Sequence, residues 1–239
     1  MTSKSINLAK ETREIGIKTS AYNINVYTAN IECPMVIVNG DAVIQNDWCF
    51  GHENKYAIIE EKNKTEKIFK KGFFEKIFSV RKIVAVSSDG KVTINGCTVS
   101  DEKTTGEGEV GSIDLVIPSG KNMVKRIEIE NMSGSIKAID LNIGKNTSPS
   151  SFVVKTVFGD ITLERFQAMH TDLKTVEGNI NAEIYESFEN YEMDLKSLTG
   201  KVDKLIKETR APQRVFDDRY SLEAETITGD IKVLFKGKN

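Results

Sequence analysis

Apolar and polar residues alternate in short runs along most of this 239-residue chain, and the alternation keeps one phase around a set of glycines. Set Gly90, Gly134, Gly159, Gly178, Gly200 and Gly229 in register and equivalent positions line up. Seven residues before each glycine stand Ile83, Ile127, Phe152, Thr171, Met193 and Leu222, and five before stand Ala85, Ile129, Val154, Leu173, Leu195 and Ala224. Two before come Ser88, Met132, Val157, Val176, Leu198 and Ile227. Two after come Val92, Ile136, Ile161, Ile180, Val202 and Ile231, and four after come Ile94, Ala138, Leu163, Ala182, Lys204 and Val233. Apolar residues two apart predict strands with one buried face. The odd step from five before to two before predicts a change of direction, where glycine is expected to supply a positive φ that other residues adopt only at a cost. Asp160, Asn179 and Asp230 follow their glycines, as turn chemistry favours. Each unit reads strand, corner, strand.

Such a unit, recurring every 20 to 30 residues or so, signals a stacked architecture, because two or three short strands cannot bury their inner face alone. The reading is an all-β, single-chain β-solenoid with a short helical or irregular insertion in its N-terminal half. An antiparallel sandwich is the rival. One domain is expected over 1–239, with irregular rungs and an insertion at 51–82 within 22–118, and regular glycine-cornered rungs over 119–239. Gly40, with Cys33, Met35, Val38, Ala42 and Ile44 around it, suggests a weaker rung. The segment "GDIKVLFKGKN" is expected to be the terminal rung, where Lys232, Lys236 and Lys238 would discourage end-to-end stacking.

The phrases "NMSGSI", "TVFGDI", "TVEGNI", "SLTGKV" and "TITGDI", which follow an "IPSG" corner, share the register apolar-x-Gly-[Asp/Asn/Ser]-Ile/Val in most copies. From about Val110 to Phe235 this register resembles the bacterial putative-adhesin family, domains of unknown function that build β-solenoids. The resemblance implies a fold, no catalytic residue to carry over, and a setting at the cell envelope.

Composition narrows the classes. A net charge of −2 argues against a nucleic-acid binder driven by bulk charge. Cys33, Cys49 and Cys97 form no CxxC pair and read as thiols in a reducing compartment. The start has no apolar signal region and no window approaches a membrane span, so a complete chain is expected in the cytoplasm, with the envelope as the alternative. "GEGEVG" over 106–111 matches a nucleotide-loop spacing, but it lacks the flanking strand and helix and carries Glu107 and Glu109. His52 and His170 suggest neither a catalytic arrangement nor a metal site, and Asp160 and Asp230 read as corner formers rather than calcium ligands. No cofactor or metal is expected.

Two stretches stand out as interaction candidates. "KTEKIFKKGFFEKIFSVRK", over 64–82, places Phe69, Phe73 and Phe74 on one helical side with lysines elsewhere. It reads as a cap or as a contact with a membrane surface or protein partner. The stretch 206–221 lengthens one repeat and carries Arg210, Arg214, Phe216 and Arg219, suited to an acidic or carbohydrate partner. The expected function is a non-catalytic binding or structural module for an unknown protein or glycan. A carbohydrate-active β-helix enzyme and a polymer-forming scaffold resembling bactofilins are the alternatives.

Overall fold

The computed structural model describes residues 3–40, 43–45, 55–60, 85–88, 91–94, 97–100, 111–119, 124–143, 149–207 and 220–237. Two compact units divide the chain: 1–62 with 110–239, and Asn63–Glu109. The sequence pattern puts the insertion at 51–82, whereas the strand Lys55–Glu60 belongs to the larger unit.

The larger unit opens with β1 (Ser3–Asn7), β2 (Thr12–Ala29), β3 (Met35–Asn39), β4 (Val43–Gln45) and β5 (Lys55–Glu60). The smaller unit holds β6 (Ala85–Ser88), β7 (Lys91–Ile94) and β8 (Cys97–Ser100) in one antiparallel sheet. The larger unit resumes with β9 (Gly111–Pro118), β10 (Arg126–Ser133), β11 (Ile136–Ile139), β12 (Ser151–Phe158) and β13 (Ile161–Phe166). Then follow β14 (His170–Glu177), β15 (Ile180–Ile184), β16 (Tyr191–Ser197), β17 (Val202–Ile206), β18 (Tyr220–Thr228) and β19 (Ile231–Phe235).

The chain is an all-β solenoid. Each rung runs along one sheet, turns at its glycine corner, and runs back along a second sheet. The first sheet stacks β16-β18-β14-β12-β10 on the early half of β2, and the second stacks β17-β19-β15-β13-β11 on its later half, all parallel. On the other flank of β2, β5 and β9 form a parallel rung separated in sequence by the smaller unit. The rung expected around Gly40 is present, but β3 and β4 run antiparallel to β9 and β5, and β1 then closes on β3. This reversal changes the phase: Val36 and Val38 are buried, while Met35 is only half-buried. Around Gly90 the expectation of a rung fails. The flanking strands β6 and β7 pair with each other, Ser88 opposite Lys91, as an Asp-Gly pair between alternating segments favours. Gly90 itself lies outside the described residues.

The interior is mostly aliphatic, with Phe152, Phe166 and Phe235 fully buried within it, and is arranged in columns. Ile24, Ile136, Ile161, Ile180 and Ile231 stack in one, and Ile17, Ile129, Val154, Leu173 and Ala224 in another, all buried. At the corner the physics differs from the expectation. Gly134 and Gly229 do have positive φ, 114° and 146°, but Gly159, Gly178 and Gly200 do not. Those three must be glycine because of what lies above them. A Cβ on Gly159 would sit 2.2 Å from the Gly134 carbonyl oxygen, one on Gly178 2.2 Å from that of Gly159, and one on Gly200 1.9 Å from that of Gly229.

Two polar columns fix this ladder. Three residues before the glycines, Thr175 Oγ1 donates to the Gly159 carbonyl at 3.1 Å, Thr226 Oγ1 to that of Gly178 at 3.0 Å and Ser197 Oγ to that of Gly229 at 2.7 Å. At the next position Asn23, which follows Tyr22, and Asp160, Asn179 and Asp230, which follow glycines, each accept from the backbone N–H of the equivalent residue in the adjoining rung, at 2.7–3.0 Å. An alignment of apolar positions passes over the hydroxyl column, because polar residues there are buried too.

The stacking order departs from sequence order. The Gly229 rung, β18 with β19, lies between the Gly178 rung and the Gly200 rung, so β16 and β17 form the end. Lys232 and Lys236 are therefore not on the terminal rung. The end rung carries Lys201 where inner rungs carry an acceptor, and Lys204 where they carry an aliphatic residue. Neither position has a further rung to serve.

Gly178→Ala should cost about 3 kcal/mol or more in urea unfolding, because backbone must move. Gly16→Ala, whose Cβ meets only the Tyr56 hydroxyl at 2.6 Å, should cost under about 1 kcal/mol, since a ring tip can shift. Equal costs would contradict the ladder.

Candidate interaction surface

Strand alternation sends every second residue of β12, β14, β18 and β16 outward, and parallel pairing aligns them into rows whose neighbouring members are about 4.8 Å apart. The first row is Ser151, His170, Ser221 and Glu192. The second is Val153, Asp172, Glu223 and Asp194, and the third is Lys155, Lys174, Glu225 and Lys196. The first row, with Asp172, Glu223 and Asp194 from the second, lines a shallow depression of about 390 Å³.

The rows are wired by hydrogen bonds and ion pairs. His170 Nδ1 lies 3.0 Å from Ser221 Oγ. Lys174 Nζ sits 3.2 Å from Asp172 Oδ1 and 3.0 Å from Glu223 Oε1, joining two carboxylates on neighbouring strands. Asp194 contacts Lys196 two residues along its own strand. Burial pushes the Asp172 carboxyl above its ordinary range; Lys174 opposes this, and Glu223 adds to it. Burial likewise raises Glu225, against the pull of Lys174 and Lys196. Four carboxylates, Asp172, Glu192, Asp194 and Glu223, thus line one basin, and the half-buried Lys174 beside it pairs with two of them, Asp172 and Glu223. The arrangement suits attraction of cationic groups.

The structure redistributes the sequence candidates. His170 is exposed at the start of β14 and lies within hydrogen-bond distance of Ser221. Asp160 and Asp230 are corner acceptors. Gly134, Gly159, Gly178, Gly200 and Gly229 form the corner ladder. Phe69, Phe73, Phe74, Arg210, Arg214, Phe216 and Arg219 lie outside the described residues. Among the described residues no group of three or more His, Cys, Asp or Glu side chains could hold a metal, and no helix is long and apolar enough to cross a membrane. The basin escapes a reading of the sequence by its apolar positions, although its signal is present. Asp172, Asp194 and Glu223 each stand six residues before a corner glycine, a column that an apolar alignment skips.

The chain matches the family Toastrack DUF4097 over residues 51–239 and belongs to it. Its fold is shared with a solved structure described as a putative cell adhesion protein from Clostridium sporogenes, at TM-score 0.55 and 9% identity over 98% of this chain and 99% of that one. A putative adhesin from Parabacteroides distasonis aligns over 98% and 96% of the two chains at 11% identity, with a TM-score of only 0.23. No curated protein matches the chain.

A carboxyl whose folded pKa is raised binds its proton more tightly in the folded state than in the unfolded one. Stability is therefore lost as pH rises from the ordinary carboxylate pKa through the raised one. Asp172→Asn should leave stability unchanged or raise it, by less than about 1 kcal/mol, at neutral pH. It should also flatten the fall in stability that begins as pH rises through the ordinary carboxylate pKa. Urea unfolding across that window checks this.

Proposed function

We propose that this chain is a non-catalytic, adhesin-like binding module that works at the cell envelope through the outer flank of its first sheet. The observation that carries the reading is a division of labour among polar side chains. The Thr/Ser and Asx columns hold the corners, the interior is mostly aliphatic, and the outward rows around Asp172 and Glu223 are left to meet a partner. The description of the Clostridium sporogenes structure as a putative cell adhesion protein supports the same direction. The basin favours a cationic face of a protein or an amino-bearing glycan, held by several carboxylates at strand spacing and sensitive to salt.

A carbohydrate-active reading has one observation in its favour, the carboxylates clustered on neighbouring strands. Against it, Lys174 holds Asp172 and Glu223 together as one ion-paired unit. Acid–base catalysis by two carboxyl groups needs their environments to push them apart.

Immobilised protein, probed with a glycan array and with envelope extract, should retain a specific partner. Doubling the salt should weaken retention, and the double variant Asp172→Asn, Glu223→Gln should lose most of it. Retention that ignores both salt and the double variant would contradict the reading, as would release of reducing sugar from any polysaccharide of a test panel.

A further inference from the structure

The two ends of the solenoid are treated differently. Each end exposes strand edges, which proteins guard with inward charges, very short strands or cover. At the N-terminal end the edges are β1 and β4. β4 is only three residues long, and on β1 Lys4 pairs opposite the buried Val38, so a lysine occupies an interior column there. At the other end the edges are β17 and β16. Lys204 guards β17, with its Nζ 4.4 Å from the Phe188 ring centroid. β16 has no such guard. Its inward residues Met193 and Leu195 are apolar and pack on the core, and its outward residues are Glu192, Asp194 and Lys196.

The end rung is also where apolar surface collects. The exposed large hydrophobic side chains among the described residues are Ile6 on β1 at 38% and, on the end rung, Leu198 at 60%, Val202 at 43%, Leu205 at 42% and Ile206 at 49%. Four of the five thus lie on the end rung, with Val202 and Ile206 on its inward register.

We propose that the open mouth of the tube at this end is closed by a second copy of the chain, joined through antiparallel pairing of the two β16 edges about a two-fold axis. An antiparallel edge pair keeps interior facing interior only if inward residues oppose inward residues. Inward and outward residues alternate along β16, so the allowed registers differ by steps of two. One centre places Asp194 opposite its own copy, and another places Lys196 opposite its own copy; like charges so placed repel. A third sets Glu192 against Asp194. Centring on Leu195 places Leu195 against its copy on the inner face and sets each Asp194 opposite the other chain's Lys196 on the outer face. The Asp194–Lys196 contact now made within one strand would become two contacts between chains. The same two-fold turns the open mouths toward each other and covers Val202 and Ile206. The N-terminal end is blunted by its reversed strands, so association stops at two copies. This assembly does not depend on the partner proposed for the basin.

Sedimentation of the full chain across the micromolar range should give twice the chain mass. Asp194→Lys and Lys196→Asp, both at exposed positions, should each give a folded monomer, because each places like charges across the two-fold. Their equimolar mixture should recover the doubled mass. Positions 194 and 196 are both cationic in the first variant and both anionic in the second, so each pair across the two-fold then joins opposite charges. A purely intrachain role for the pair would not produce this recovery. The proposal is overturned by a wild-type monomer at every concentration, by mass that grows beyond two copies, by single variants that remain dimeric, or by a mixture that remains monomeric.

Discussion

One contact sets the geometry of this protein: the carbonyl oxygen of one corner glycine occupies the place where a Cβ on the next glycine would be, about 2 Å away. Where glycine stacks on glycine, the missing side chains allow the rungs to close to strand spacing at the corner; β2 carries Tyr22 there, and its carbonyl meets the first glycine of the ladder, Gly134. Once the rungs close, the neighbouring polar columns have fixed partners. The Thr and Ser hydroxyls reach the glycine carbonyls, and the Asx side chains reach the corner N–H groups. A slip of one residue would turn the aliphatic columns outward and break both polar columns together, so the register is strongly specified. Rungs as dissimilar as "TVFGDI" and "SLTGKV" are held in the same phase for this reason.

The parallel tube is legible in the sequence because glycine, aliphatic and Asx positions recur at fixed offsets. The reason for the glycines is only half legible. Positive φ is the natural expectation from a single corner, while the close approach of a carbonyl belongs to the neighbouring rung and appears only once rungs are stacked. The order of the last rungs is written in the same columns. Lys201 stands where an acceptor is needed and Lys204 where an aliphatic residue is needed, which marks the Gly200 rung as the end. Chain order argues the other way, since successive elements usually lie side by side. Gly90 misleads for a simpler reason: the unbroken apolar run Ile83–Val86 fits either phase, and Val92 and Ile94 alternate as a hairpin strand also would.

The candidate surface is less legible, since outward residues carry no periodic hydrophobic signal. Asp172, Asp194 and Glu223 lie far apart in sequence and meet only because parallel pairing sets equivalent positions side by side. The same geometry that consumes Asp160 and Asp230 at the corner concentrates other carboxylates on the flank. Members of a family built this way can keep the tube and vary the outward rows, because the two sets of positions do not overlap.

The most direct test of the stacked ladder, and of the order of its rungs, is the measurement of scalar couplings across hydrogen bonds by solution NMR. The Gly178 amide nitrogen should couple to the carbonyl carbon of Thr228, and that of Gly159 to Glu177, as the bonds at 2.9 and 3.0 Å require. Coupling of Gly178 to Thr199 would show rungs stacked in chain order. Absence of both couplings, with these amides exchanging freely with solvent, would contradict the ladder itself.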